Sequence, residues 1–439
     1  MNKSMKSRSI KNYLNYICNT GRGLLPRWFA ISISIFIIIF CALKLKGLLS
    51  GMLYPDINGY GYTELLINFS GGFIRRGLVG DLIYLLTDLT GISPVYIIQG
   101  ICLLALAFVI IYFCRRFYHL NLNWWIIASP LLCGTLAACI RKDWILYALL
   151  IGIFTLLKDA NPPKGRIFGA ILLSVFGLFI HEAFIFWGLP IVVLLLLVKK
   201  ETRWWGIIGA FILIGVFGMM SIFKGTENQA IAIINSWKEM PGCDLIEYRK
   251  YNSIGALGWD LHKTISDNLY LNFSNKYPIW FVIPIRLIVM LLSYYMLSNF
   301  IFTFKKDNNN SPLSEKTSFS ALLIFSFVCM VPMFTVLSCD WERLYQYVAI
   351  STFGTYITLS RESFINLFPK RILRGVAKFN SSLEKILKPT PLVMVILLFV
   401  LAISPAFFTP QVAIMRSILV TLLFWGKSIL SSLYHIFIP

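Results

Sequence analysis

Asp56-Ile57-Asn58-Gly59-Tyr60-Gly61-Tyr62, then Ser70-Gly71-Gly72-Phe73-Ile74-Arg75-Arg76-Gly77, then a run through Asp81 to Asp88: this is the most polar and glycine-rich stretch in the first half of the chain. It follows an apolar run and precedes another. After Gly77, the residues Leu78, Val79, Leu82, Ile83, Leu85, Leu86 and Leu89 make a broad apolar face. Gly77, Asp81, Tyr84 and Asp88 make a narrow polar stripe at spacings of four, three and four. That pattern predicts an amphipathic helix lying in a membrane interface.

Working outward, apolar runs near the ~20-residue membrane length recur along the chain. The composition is 57% hydrophobic and 14% charged, against about 25% charged for a soluble domain. The expected fold class is therefore an all-α polytopic membrane protein, a bundle of about 11–12 transmembrane helices. Its expected parts are a basic cytoplasmic N-terminus over 1–27 and a single transmembrane domain over 28–439. Within that domain lie a first outer loop over 46–94, a large outer loop over 224–277 and a basic inner loop over 361–390. The segment 412–437, broken by Arg416 and Lys427, either spans or lies flat. The first apolar run lacks a small-residue cleavage site, so no cleavable signal peptide is expected.

The net charge is +20. With the spans laid out, most Lys and Arg fall on the N-terminal, inner side, while the outer segments balance their charges. The positive-inside rule explains that bias, so nucleic acid is not an expected partner. Of the nine cysteines, seven lie in or beside spans. Cys243 and Cys339 fall in outer loops and could be bridged. No CxxC spacing suggests a metal.

The short outer turns consist of little except ionisable residues: Arg141-Lys142-Asp143, His181-Glu182 and Asp340-Trp341-Glu342-Arg343. With Asp56, Glu64, Arg75, Arg76 and Asp81 they put carboxylates and cations together on one side only. Ionisable groups at helix ends in a membrane are costly unless paired or used. A lipid-linked phosphate substrate needs both charges: Arg forks grip phosphate oxygens, and a carboxylate takes the proton of an attacking hydroxyl.

The order of a first span, an outer loop with an early Asp, an interfacial helix and many further spans resembles the GT-C superfamily of membrane glycosyltransferases. Phage-type O-antigen glucosyltransferases that change serotype are similar in size and layout. The resemblance covers most of the chain in architecture and little of it in sequence. It implies a polyprenyl-phosphate-linked sugar as donor, a lipid-linked polysaccharide as acceptor, membrane lipids around both, and a site on the periplasmic face of a bacterial inner membrane. Asp56 matches the family's first-loop carboxylate and would be the base; Asp143 matches a second acidic position. Arg75, Arg76, Arg141, Lys142 and Arg343 would bind the donor phosphate. Glu64, Asp81, Asp143, His181, Glu182, Asp340 and Glu342 would orient substrate or the Arg groups. No cofactor is expected, although a divalent ion shared by Asp56, Asp143 and Glu182 stays open.

Two alternatives compete. A polymerase of lipid-linked repeat units would rely on the 224–277 loop, with His262, Arg249 and Lys250. A polysaccharide transporter or flippase would need ionisable groups near the bilayer midplane, and only Arg286 is a candidate.

Overall fold

The computed structural model describes residues 25–126, 140–159, 161–250, 252–259, 261–272, 295–303, 312–338, 341–387 and 390–395. Most of the span expected over 124–140, Arg286, Asp340 and the segment 412–437 lie outside these residues. The described residues are helical and contain no strands. In chain order the helices that matter here are α1 (Arg27–Leu53), α2 (Tyr60–Leu65), α3 (Gly77–Thr90), α4 (Pro94–His119), α5 (Asp143–Leu157), α6 (Lys164–Ile180), α7 (Phe184–Trp187) and α8 (Leu189–Val198). They continue as α9 (Arg203–Ile222), α10 (Glu227–Lys238), α11 (Leu261–Asn272), α12 (Pro312–Pro332), α13 (Trp341–Thr358), α14 (Arg361–Ile365) and α15 (Lys370–Leu387).

Three stretches are long and apolar enough to cross a membrane: Pro94–His119, Arg203–Ile222 and Ser314–Leu337. They expose large apolar side chains such as Leu104, Phe108, Phe211 and Ile214. Exposed apolar surface of that extent needs a lipid or protein neighbour rather than water. Asp143–Leu157 and Phe184–Val198 are apolar but shorter. The charged turns cut them short: a 15-residue helix such as α5 spans only about 22 Å, less than the ~30 Å hydrocarbon core.

Local chemistry sets the boundaries. Helix α1 runs to Leu53, although the expected first span ended near residue 45. Lys44 and Lys46 interrupt the apolar run, but lysine is a good helix former. The helix stops only at Tyr54, because Pro55 disfavours a helical residue before it. Helix α4 starts with Pro94 at its first turn and ends with Arg116 and His119, where cations suit the carboxyl end of the helix dipole.

The amphipathic helix expected after Gly77 is present as α3. Its buried seam is Gly77, Gly80, Ile83 and Thr87, and Leu82, Leu85, Leu86 and Leu89 point outward, Leu89 being 72% exposed. So most of the apolar face is turned away from the protein, which suits a helix whose other neighbour is lipid. The helix closes on Gly91, left-handed at φ 66, as helix C-termini favour. At Gly80 a Cβ would stand 1.9 Å from the Ile67 carbonyl oxygen, so only glycine permits that approach.

The described parts of the two loops expected over 46–94 and 224–277 pack as one structure. The large loop carries α10 and a 3-10 turn over Gly255–Gly258, and it folds onto the first loop. Ile57, Leu65, Leu66 and Ile74 share one core with Ala230, Ile234, Trp237 and Leu257. Asn58 ties the loops together: its Nδ2 donates to the Leu245 carbonyl at 2.8 Å and its Oδ1 accepts the Glu247 N–H at 3.0 Å. The Trp237 indole donates to the Leu66 carbonyl at 2.7 Å. Cys243 is a buried thiol in this core; Cys339, its expected partner, lies outside the described residues. The cap sits over a second, larger core made by α4 to α9, α12 and α13.

Gly80→Ala should destabilise the protein by about 1–3 kcal/mol, the cost of overpacking against backbone. Gly152→Ala is the matched control. It is mid-helix in α5, with the nearest atom 4.0 Å from the new methyl, and it should be neutral or stabilising. Thermal unfolding in one detergent distinguishes the two; equal shifts would contradict the close approach of α3 to Ile67.

Candidate functional site

Beneath the cap, ionisable side chains from five separate segments meet. Glu64 comes from α2. Arg75 and Arg76 precede α3, and Lys142 and Asp143 open α5. His181 and Glu182 follow α6, and Arg343 lies in the first turn of α13. The starts of α5 and α13 and the end of α6 therefore lie at one end of the bundle.

Glu64 is the centre. It is 2% exposed, with its Oε1 3.0 Å from the Lys142 ammonium, 3.5 Å from Arg343 and 3.8 Å from His181 Nε2. Neither of its oxygens has a hydrogen bond of good geometry, so its contact with Lys142 is a charge contact without alignment. Asp143 forms a second node. Its Oδ1 accepts from Arg343 at 2.7 Å and from the Tyr347 hydroxyl at 2.5 Å. Arg343 and Tyr347 lie four apart on α13, so both reach the same carboxylate. Glu182 is the third node. Arg76 grips it with two nitrogens, Nε at 2.8 Å and Nη2 closer still. Arg75 approaches the same carboxylate at 3.5 Å.

Arg76 is held in left-handed backbone, φ 68. A non-glycine residue adopts that region rarely and at a cost, and here two features hold it. The guanidinium is locked on Glu182, and the preceding Arg75 N–H donates to the Phe223 carbonyl at 2.9 Å.

An aromatic wall backs the cluster. Trp187 and Tyr347 stack in parallel with ring centres 4.5 Å apart. Tyr147 meets both edge-on, and Trp144 meets Tyr147. The Arg343 guanidinium lies 5.7 Å from the Tyr347 ring centre, a cation–π distance.

The electrostatics follow from burial and neighbours. Burial pushes the Glu64 pKa up, but Lys142, Arg343, His181 and Arg76 together outweigh it, so the group stays ionised. Glu182 is held below its ordinary value in the same way: burial raises it, and Arg76, His181 and Arg75 lower it further. Burial lowers Lys142 to about 8, with Glu64 opposing. His181 falls to about 3, through burial first and then Lys142 and Arg76. It is therefore neutral at physiological pH. The Ala183 N–H lies 3.3 Å from its Nδ1, the same nitrogen is 3.3 Å from Glu182 Oε2, and Nε2 faces Glu64.

Among the printed pairs of the described residues, four cations, Arg75, Arg76, Lys142 and Arg343, meet three carboxylates, Glu64, Asp143 and Glu182. Arg75 shares a carboxylate already taken by Arg76, and its buried Nε has no hydrogen bond.

Asp56 and Asp81 stand apart from these ion pairs. Asp56 is exposed. Its Oδ1 accepts the Asn58 N–H at 3.1 Å and its carbonyl accepts the Gly59 N–H at 2.9 Å, so it shapes the turn that aims Asn58 at the second loop. Asp81 accepts the Phe69 N–H at 3.3 Å, bracing α3. Arg141 is buried beside the cluster, and its carbonyl accepts the Cys102 thiol. Glu342 lies in α13; Asp340 is outside the described residues. Arg249 pairs with Glu247 on the exposed surface, and His262 is exposed on α11. Among the described residues, no group of three His, Cys, Asp or Glu side chains is arranged to hold a metal ion. Sequence reasoning missed the aromatic wall; its one visible signal was Tyr347, a helical turn beyond Arg343.

No protein-family model matches the chain, and no curated protein or solved structure matches it either.

These shifts fix the sign of the pH response. His181 binds its proton less well folded than unfolded, so its contribution is complete above 6.5 and is lost as the pH falls toward 3. Glu64 and Glu182 contribute fully above 4.5, and that contribution is lost as the pH falls toward their depressed folded values. Thermal stability should therefore fall steadily below pH 6.5. His181→Asn should flatten the part between 6.5 and 4.5 and leave the steeper acid limb. An unchanged profile in that variant would place the histidine outside this network.

Proposed function

We propose that this chain is a glycosyltransferase of the membrane-embedded GT-C type, taking its sugar from a polyprenyl-phosphate donor and passing it to a lipid-linked surface polysaccharide. On this reading the bundle spans a bacterial inner membrane with its N-terminus in the cytoplasm, and the charged cluster faces the periplasm. The observation that carries the reading is the convergence of four cations on three carboxylates at one end of apolar helices. A sugar phosphodiester carries one negative charge, and Arg75, which shares its carboxylate with Arg76, can meet it.

The chemistry follows from the parts. Arg75, half-buried at the edge of the cluster, takes the phosphate, with Arg76 locked behind it. Glu64 is a positioning residue: it holds Lys142 and Arg343 in place and touches no substrate. The acceptor hydroxyl oxygen attacks the anomeric carbon as the carbon–oxygen bond to the phosphate breaks. The electron pair leaves with the lipid phosphate, and nearby guanidinium groups stabilise the charge developing there. Asp56, exposed in the same loop, receives the hydroxyl proton. Tyr60, exposed one turn on, supplies a ring for the sugar face.

Release of polyprenyl phosphate from a polyprenyl-phosphate sugar, in the presence of a lipid-linked oligosaccharide acceptor, is the test. Arg75→Gln should raise KM for the donor about tenfold, the loss of one charge-assisted contact. Asp56→Asn should cut kcat by roughly 10²–10⁴, the usual contribution of a general base. Both residues are partly or fully exposed, so folding should survive. Full activity of Asp56→Asn removes the base assignment. Consumption of lipid-diphosphate repeats in place of the monophosphate donor makes the protein a polymerase. Turnover of neither, with lipid-linked saccharide crossing a bilayer, makes it a transporter.

A further inference from the structure

Helix α15, Lys370–Leu387, lies apart from the cluster just described and carries three distinct faces. Leu373, Val376, Leu383 and Leu387 pack against the bundle core. Asn380 is buried with them and donates to Ser320 on α12 at 3.0 Å, which fixes the helix in place. Ile372, Phe379 and Ile386 recur every seven residues, so they form one row along the helix. That row is exposed, Ile386 to 76%. It borders the packed face, so the apolar arc is wider than the protein covers.

The remaining face is basic. Lys370, Arg371, Arg374, Lys378 and Lys385 are all exposed, and none is in an ion pair among the described residues. The helix has a single acid, Glu384, and that is taken by Lys316 at 2.9 Å. The five cations are therefore uncompensated.

We propose that α15 is an in-plane anchor that seats on an anionic phospholipid surface, its Ile372–Phe379–Ile386 row among the acyl chains and its basic face against the phosphate headgroups. An acidic soluble partner would satisfy the cations but leave the apolar row in water. A neutral lipid surface would cover the row and leave the cations unpaired. Only an anionic bilayer answers both faces at once. The helix is tied to α12, itself part of an apolar stretch long enough to span, so its basic face is held near the membrane surface. Other basic residues near it, Lys316 and Arg361, are already engaged with Glu384 and Glu315. This surface is independent of the proposed transferase chemistry.

The test uses the full chain reconstituted in bilayers holding spin-labelled phosphatidylglycerol or phosphatidylcholine, reading the motionally restricted fraction of each. The wild-type protein should prefer phosphatidylglycerol by about twofold or more at low salt, and less at high salt. Arg371→Gln/Arg374→Gln/Lys378→Gln should abolish most of that preference. Lys158→Gln/Lys164→Gln/Lys200→Gln removes the same charge from exposed lysines elsewhere and should keep most of it. All six side chains are exposed, so the fold is not at stake. Equal preference in both triple variants, or none in the wild type, overturns the proposal and leaves the basic face to a soluble acidic partner.

Discussion

A carboxylate buried beneath the packed loops, Glu64, is the constraint from which the rest of this structure follows. An ionised acid out of water is tolerable only with cations held against it. Lys142 and Arg343 meet that need, and they arrive from turns far apart in sequence. Their own burial then needs answering, and Asp143 answers for Arg343. Each pair is costly to form and costlier to break, because removing one partner strands the other, typically at about 3–5 kcal/mol. The cluster therefore fixes which helix ends meet, and does so more specifically than apolar packing can.

The cap and the cluster depend on each other. Glu64 is presented by a six-residue helix, α2, too short to be stable alone. It is held by Ser253 of the large loop. The Ser253 N–H donates to Thr63 Oγ1 at 3.2 Å, and the Ser253 hydroxyl donates to the Tyr60 carbonyl at 2.9 Å. Loops 160 or more residues apart in sequence thus aim one side chain. On the other side, Arg76 accepts an unfavourable backbone conformation to reach Glu182. Strain held in place by a salt bridge is a feature of sites more often than of plain scaffolds.

Much of this was legible in the amino-acid sequence, for reasons that can be named. The turns at 141–143 and 181–182 hold almost nothing but ionisable residues, and the physics of charge at a membrane end makes such residues meet. Helix α3 was legible from its periodicity. The hierarchy among the acids was not. Asp56 and Glu64 sit eight apart in one loop, and only the packing of Leu65, Leu66 and Ile67 into the cap core turns Glu64 inward and leaves Asp56 in a turn. The union of these two loops was also hidden, because Asn58 and Trp237 act through backbone groups that carry no sequence pattern. The aromatic wall was hidden because Trp187 and Tyr147 look like any apolar residues of a span. The end of α1 was misplaced because a charged residue ends an apolar run without ending a helix.

The proposed anion site for a lipid phosphate rests on the Arg75 guanidinium, which shares Glu182 with Arg76. Cryo-electron microscopy of the protein in lipid discs with added polyprenyl phosphate tests it directly. The account predicts phosphate density about 3 Å from the Arg75 guanidinium, at hydrogen-bond distance, with Glu64, Lys142 and Arg343 unmoved. Phosphate density elsewhere on the protein, or a cluster closed over Arg75 with the lipid bound only by its chain, would contradict it.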